Sequence, residues 1–170
     1  MPSTPPILVL MGPSGTGKST VGTLLSDQLG WSFQEGDDLH SAANVEKMRR
    51  GEPLTDEDRL PWLGLIAAWI DERRAAGEPG IVTCSALKRS YRDILRRDDV
   101  VFVNFTGDTA VVRDRMMRRE GHYMPPALLD SQFATLEAPG PDERAIDVDV
   151  ALAPEDQVAL VIAALDLEGS

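Results

Sequence analysis

The run Ile7-Leu8-Val9-Leu10-Met11-Gly12-Pro13-Ser14-Gly15-Thr16-Gly17-Lys18-Ser19-Thr20 decides the reading of this chain. Its five leading apolar residues predict a strand buried on both faces. The Gly-x-x-x-x-Gly-Lys-Ser pattern that follows predicts a phosphate-binding loop. In such a loop successive backbone N–H groups form a nest around an anion, and the glycines at 12, 15 and 17 remove Cβ atoms that would block its approach. Ser14, Thr16 and Thr20 lie in the same cradle. Lys18 is expected to reach the β and γ phosphates of ATP, and the Ser19 hydroxyl to take one position on Mg²⁺. The helical pattern from Val21 to Leu29 adds its positive dipole end and unpaired N–H groups at the same point.

Outward from this stretch, 170 residues with 42% hydrophobic content predict one domain, residues 1–170, with a substantial core. The net charge of −11 argues against nucleic acid or an anionic membrane as a partner and favours a small molecule. Basic residues concentrate in mid-chain: Lys88 to Arg119 holds nine against five acidic, whereas the residues after Gly121 hold one, Arg144, against ten. Cys84 is the single cysteine, so no intramolecular disulfide is possible and a cytoplasmic location is expected. No apolar stretch approaches the ~20 residues a membrane helix needs.

Strand patterns at Ile7 to Met11, Ser32 to Glu35, Ile81 to Cys84, Val100 to Phe105 and Ala145 to Val150 alternate with helical patterns. That order predicts an α/β fold, a five-stranded parallel sheet with helices on both faces. Thr55-Asp56-Glu57-Asp58 predicts a capping box for a helix reaching Ala76, in which Trp62 and Trp69 flank the apolar stripe as packing residues. Asp38 is expected to cap the helix that begins near Ser41. Glu120-Gly121-His122-Tyr123-Met124-Pro125-Pro126 predicts a mobile lid, about residues 115–130, over a nucleotide.

Phosphoryl transfer requires positioning and charge neutralisation, so the chain should supply a metal, cations at the γ-phosphate and a carboxylate at the acceptor hydroxyl. Asp37, just past the second strand on the sheet edge that carries the phosphate loop, is the expected carboxylate. Lys88, Arg92, Arg115 and Arg119 are the candidate cations, the last two one helical turn apart. Arg59 is expected to fork a substrate carboxylate, its alternative being a surface ion pair with Asp56 or Glu57. His40 and His122 are candidate ligand contacts in two loops.

Taken together, Gly12 through Thr20, Gly36-Asp37-Asp38-Leu39-His40, Asn44, Glu46-Lys47-Met48, Gly51-Glu52-Pro53-Leu54-Thr55-Asp56-Glu57-Asp58-Arg59, Pro61-Trp62-Leu63, Cys84 through Arg89, Tyr91-Arg92-Asp93, Gly121-His122-Tyr123, Ser131-Gln132-Phe133 and Leu136-Glu137 resemble the small phosphate-loop gluconate kinases. The resemblance implies ATP-dependent phosphorylation of D-gluconate at its terminal hydroxyl, with Mg²⁺, by a cytoplasmic homodimer. His40, Lys47, Arg59, Lys88, Arg92, His122 and Gln132 are then substrate contacts beside Asp37, while Lys18, Lys88 and Arg119 assist the transfer. In the related shikimate kinases an acid-x-acid triplet follows the second strand. Here the matching triplet is Glu35-Gly36-Asp37, which makes Glu35 a metal candidate in place of the usual aspartate. The residues alone also allow a kinase for another sugar acid or shikimate, or a nucleotide-binding sensor that performs no transfer.

Overall fold

The computed structural model describes residues 6–12, 17–52, 54–107 and 136–165. Five strands, β1 (Ile7–Met11), β2 (Ser32–Gln34), β3 (Gly80–Thr83), β4 (Val100–Thr106) and β5 (Ala145–Asp149), form one sheet in the order β2-β3-β1-β4-β5. Every pairing is parallel, as the alternation of strands and helices predicts. Among the described residues the helices are α1 (Lys18–Leu29), α2 (Ala42–Arg49), α3 (Asp56–Ala75), α4 (Arg89–Leu95) and α5 (Pro154–Ala164), with a 3-10 turn at Gly36–Leu39. The expected helix 110–119, the lid and nearly all of the helix 127–136 lie outside the described residues.

Strand β1 shows why its sequence carries no polar residue. Leu8 and Leu10 point into a core shared with Val21, Leu25 and Leu29 of α1 and Val158 and Val161 of α5. Ile7, Val9 and Met11 point into a second core with Leu63, Ile66 and Ile70 of α3 and Tyr91 and Leu95 of α4. The two-residue period of a strand thus feeds two cores at once, and all five side chains are fully buried. Each such side chain contributes roughly 1.5–3 kcal/mol by leaving water. Trp62 belongs to the second core, as expected, and so does Cys84, whose thiol burial pushes up to about 12.

The capping box at the start of α3 forms as predicted: the Asp58 N–H donates to Thr55 Oγ1 at 3.1 Å and the Thr55 N–H donates to Asp58 Oδ2 at 2.9 Å. The cap of α2 differs from expectation. Ser41, not Asp38, accepts the Asn44 N–H, at 3.1 Å, because residues 36–39 are taken up by the 3-10 turn and the helix starts only at Ala42.

Because β1 lies between β3 and β4, the chain leaves its carboxyl end toward one side of the sheet through α1 and later crosses to the other. Such a reversal opens a crevice above the strand ends. The turn after β2 faces it and is tightly seated: a Cβ on Gly36 would lie 1.8 Å from the Thr83 carbonyl oxygen. Among the described residues, no helix is long and apolar enough to cross a membrane. In urea denaturation, Gly36→Ala should lose about 1–3 kcal/mol through forced backbone movement. Gly64→Ala, in open space on α3, should instead gain up to about 1 kcal/mol from helix propensity.

Candidate active site

The amino end of α1 is prepared for an anion. Gly17, at φ 94° and ψ 15°, takes the left-handed conformation that glycine favours and offers no side-chain cap, and no acidic residue occupies the first turn of the helix. By contrast, α3 carries Asp56, Glu57 and Asp58 in its first turn and α5 carries Glu155 and Asp156. The helix's own first turn therefore sets no carboxylate against these N–H groups and the positive dipole end. Ser19 is half-buried and Thr20 exposed at this end. Lys18 folds back so that its ammonium donates to the Gly12 carbonyl. Gly12, at φ 135°, donates its N–H to the Ser85 carbonyl at 3.1 Å, joining the phosphate loop to the segment after β3. Ser14, Gly15, Thr16, Arg115, Arg119, His122 and Gln132 lie outside the described residues.

The acidic turn is held by three hydrogen bonds. Thr83 Oγ1 accepts the Gly36 N–H at 2.9 Å and donates its own hydroxyl to the Glu35 carboxylate, while the Trp62 indole N–H donates to the Gly36 carbonyl at 2.7 Å. From this clamp Asp37 projects into the open cleft, reached by solvent although protein crowds around it. That crowding pushes its carboxyl above the usual range; Lys18 pulls it down, and Glu35 and Asp38 add to the rise. The ionised side chain is a better proton acceptor than a free aspartate.

Farther along the cleft, His40 stacks on Trp62 with ring centroids 4.0 Å apart and planes 15° from parallel. Burial first, and then the Arg59 guanidinium, hold the imidazole down to about 4, so it is neutral at pH 7. Arg59 Nη1 donates to the Tyr91 hydroxyl at 2.9 Å, and the guanidinium lies 5.3 Å from the centroid of that ring. The surface ion pair weighed for Arg59 does not form; Tyr91 holds it instead. Tyr91 donates to Asp56, which also takes Lys88 Nζ at 3.0 Å. Two cations and one carboxylate thus gather round one phenol. Lys47 is turned to Asp58 at 2.6 Å, and this hydrogen bond, with the Thr55 N–H, holds the Asp58 carboxyl down to about 2. Cys84, beneath the cleft floor, feels Lys18, Asp37 and Arg59 together.

Arg92 is not a cation of the cleft, contrary to its sequence reading. It is 1% exposed, pairs with Glu143 through Nε at 2.9 Å and Nη2 at 3.3 Å, and donates Nη1 to the carbonyls of Ala86 at 2.9 Å and Leu87 at 3.3 Å. Its donors are committed to protein. Burial, the largest single influence, raises the Glu143 carboxyl, but the hydrogen bonds from Arg92 and the Gly140 N–H and the charges of Arg92 and Arg89 together outweigh it and the group lies below its ordinary value. Buried Ala86 sits at φ 45°, a left-handed conformation unfavourable for a residue with a Cβ. Arg92 therefore pins the strained segment that carries Ser85 and Lys88. Glu137 adds to the pin: its N–H donates to the Leu87 carbonyl at 2.7 Å and its carboxylate accepts the Arg89 N–H at 2.9 Å. No pattern in the sequence announces this, because the partner of Arg92 lies 51 residues away.

Comparison with known proteins adds to the geometry. A family model described as an AAA domain matches residues 7–139. The gluconokinase of Gluconobacter oxydans (strain 621H) is 58% identical over 146 residues, spanning 85% of this chain and 82% of that protein. The crystal structure of an unliganded sugar kinase from Janibacter sp. HTCC2649 superposes with a TM-score of 0.91 at 47% identity, covering 96% of this chain and 95% of that one. A crystal structure of a gluconokinase from Sinorhizobium meliloti 1021 gives 0.85 at 45% identity, covering 97% and 94%.

Breaking the buried pair by Arg92→Met or Glu143→Gln should cost about 3–5 kcal/mol, since each strands an uncompensated group. Arg50→Ala, which removes the exposed 3.4 Å pair with Glu52, should change stability by no more than about 1 kcal/mol. Thermal and urea unfolding of the three variants checks both.

Proposed function

We propose a mechanism from the premise that the chain belongs to the gluconokinase family and phosphorylates D-gluconate with ATP. The triphosphate lies against the phosphate loop and the amino end of α1, with Lys18 at the β and γ phosphates. The terminal hydroxyl of gluconate lies against Asp37. Its oxygen attacks the γ-phosphorus as the bond to the β-γ bridging oxygen breaks, the hydroxyl proton passes to Asp37, and ADP and 6-phospho-D-gluconate result. The observation that carries this assignment is the clamped turn, which presents a carboxylate of raised proton affinity within the field of Lys18.

The sugar acid then extends past His40 toward Arg59 and Lys88, and its carboxylate displaces Asp56 as the partner of Lys88. Tyr91 supports Arg59 from behind. Lys47, engaged with Asp58, shapes the wall. Arg115, Arg119, His122 and Gln132 complete the site in this proposal, as Ser14, Gly15, Thr16 and Thr20 complete the phosphate cradle, and residues 115–130 act as its lid.

Among the described residues no group of three or more acidic, histidine or cysteine side chains could hold a metal alone. The Ser19 hydroxyl and the Glu35 carboxylate are hard oxygen donors of the kind Mg²⁺ takes, one or two from protein with phosphates and water completing its shell. Ser19 and Glu35 would hold it, Glu35 through the oxygen not bonded to Thr83. When bound, Mg²⁺ supplies neutralisation of the phosphate charge. A homodimer and a cytoplasmic location belong to the same proposal, supported by the family resemblance.

An ADP-release assay tests the substrate: gluconate should drive turnover and shikimate should not, and equal rates would overturn the choice. Asp37→Asn should lower kcat about 10²-fold or more while leaving the KM for ATP nearly unchanged. Arg59→Ala should raise the KM for gluconate about 10- to 100-fold, the loss of a charge-assisted hydrogen bond, and Arg59→Lys should restore little because it lacks the planar fork.

A further inference from the structure

Asn44, only 7% exposed, joins α2 to the start of α3 and to the cleft. Its side-chain Nδ2 donates to the Asp58 carbonyl at 2.9 Å. A carbonyl can only accept, so the amide orientation is settled: the NH₂ group faces Asp58. The same nitrogen lies 3.3 Å from His40 Nδ1, and because an amide nitrogen donates and does not accept, a hydrogen bond between the two runs from Asn44 to the ring. Nδ1 must therefore offer a lone pair. A neutral imidazole with a bare Nδ1 carries its proton on Nε2.

Other contacts restrain the same ring. Trp62 stacks against it and is itself tied to the Gly36 carbonyl, and the His40 N–H donates to the Asp37 carbonyl at 3.2 Å. Arg59 is the charged group that acts on the imidazole, and it opposes protonation. Nε2 makes no hydrogen bond among the described residues.

We propose that Asn44 is a positioning residue that fixes His40 as the neutral Nε2–H tautomer, making it a single, uncharged hydrogen-bond donor to a hydroxyl oxygen of the polyol chain. This rests on the placement of the sugar acid along His40 given above. The division of labour sets the direction of the substrate. A charged imidazolium would compete with Arg59 for the carboxylate, whereas a neutral donor accepts a hydroxyl and leaves the anion to Arg59. Like charges and wrong ends are thereby disfavoured without a steric wall.

Nitrogen-15 NMR of the two histidines in the full-length protein at pH 7.5 reads the tautomer directly. Wild type should show an unprotonated Nδ1 and a protonated Nε2 at His40. Asn44→Asp, which can only accept, should place a proton on Nδ1 and raise the KM for gluconate about tenfold, with the KM for ATP within twofold. His40→Gln, whose amide can reproduce an Nε2 donor, should retain a lower gluconate KM than His40→Asn. A wild-type ring that is charged or protonated at Nδ1 overturns the proposal even if Asn44→Asp does not fold. The expected tautomer with equal gluconate KM in wild type and both His40 variants overturns the donor role, and with it the placement of the sugar acid, while turnover of gluconate by the wild type would still stand.

Discussion

Thr83, the last residue of β3, takes the Gly36 N–H on its hydroxyl oxygen and donates its hydroxyl in a hydrogen bond to Glu35. The groups of the cleft depend on this joint. It draws the turn after β2 so close to the β3 backbone that only glycine fits at 36, and it sets the Gly36 carbonyl where Trp62 can donate to it. Asp37 leaves the joint in one direction and His40, stacked on Trp62, in another. In the proposed mechanism, proton acceptor and hydrogen-bond donor are thus mounted on one support, which is what precise positioning of a reacting hydroxyl demands.

The cleft handles charge differently along its length. At the phosphate end, the first turn of α1 lacks acids, and Lys18 is drawn over the Gly12 carbonyl, so an incoming triphosphate meets N–H groups and a cation in a chain of net charge −11. At the polyol end, Arg59 and Lys88 are already engaged, by Tyr91 and Asp56 respectively. On the proposed placement of the substrate, a sugar carboxylate entering there exchanges with Asp56 rather than meeting bare cations. The exchange lowers the net gain from the charge itself and leaves discrimination to geometry.

Beneath both ends runs a support that never touches the cleft. Arg92 and Glu143 are 1% and 7% exposed, and together with Glu137 they hold the segment Cys84 to Lys88, including the left-handed Ala86. A surface arginine would serve poorly here, because pinning two carbonyls in a strained backbone requires a donor fork that water cannot reach. The Gly12 to Ser85 hydrogen bond carries this rigidity across to the phosphate loop.

The chain's own order of residues determined the parallel sheet, the phosphate loop, the capping box at Thr55 and the place of Asp37, because each depends on neighbours within a few positions: strand period, glycine spacing, or a residue just past a strand end. Tertiary structure alone decided that Arg92 is buried against Glu143 while Arg59 meets Tyr91, that Ser41 rather than Asp38 caps α2, and that Asn44 comes within 3.3 Å of His40 Nδ1. Arg92 and Arg59 look alike in sequence, since both sit in helical patterns beside acids. Their fates diverge through partners such as Glu143 and Tyr91, 51 and 32 residues distant. A guanidinium's role follows from whether folding brings it a carboxylate out of water or leaves its donors at an open edge.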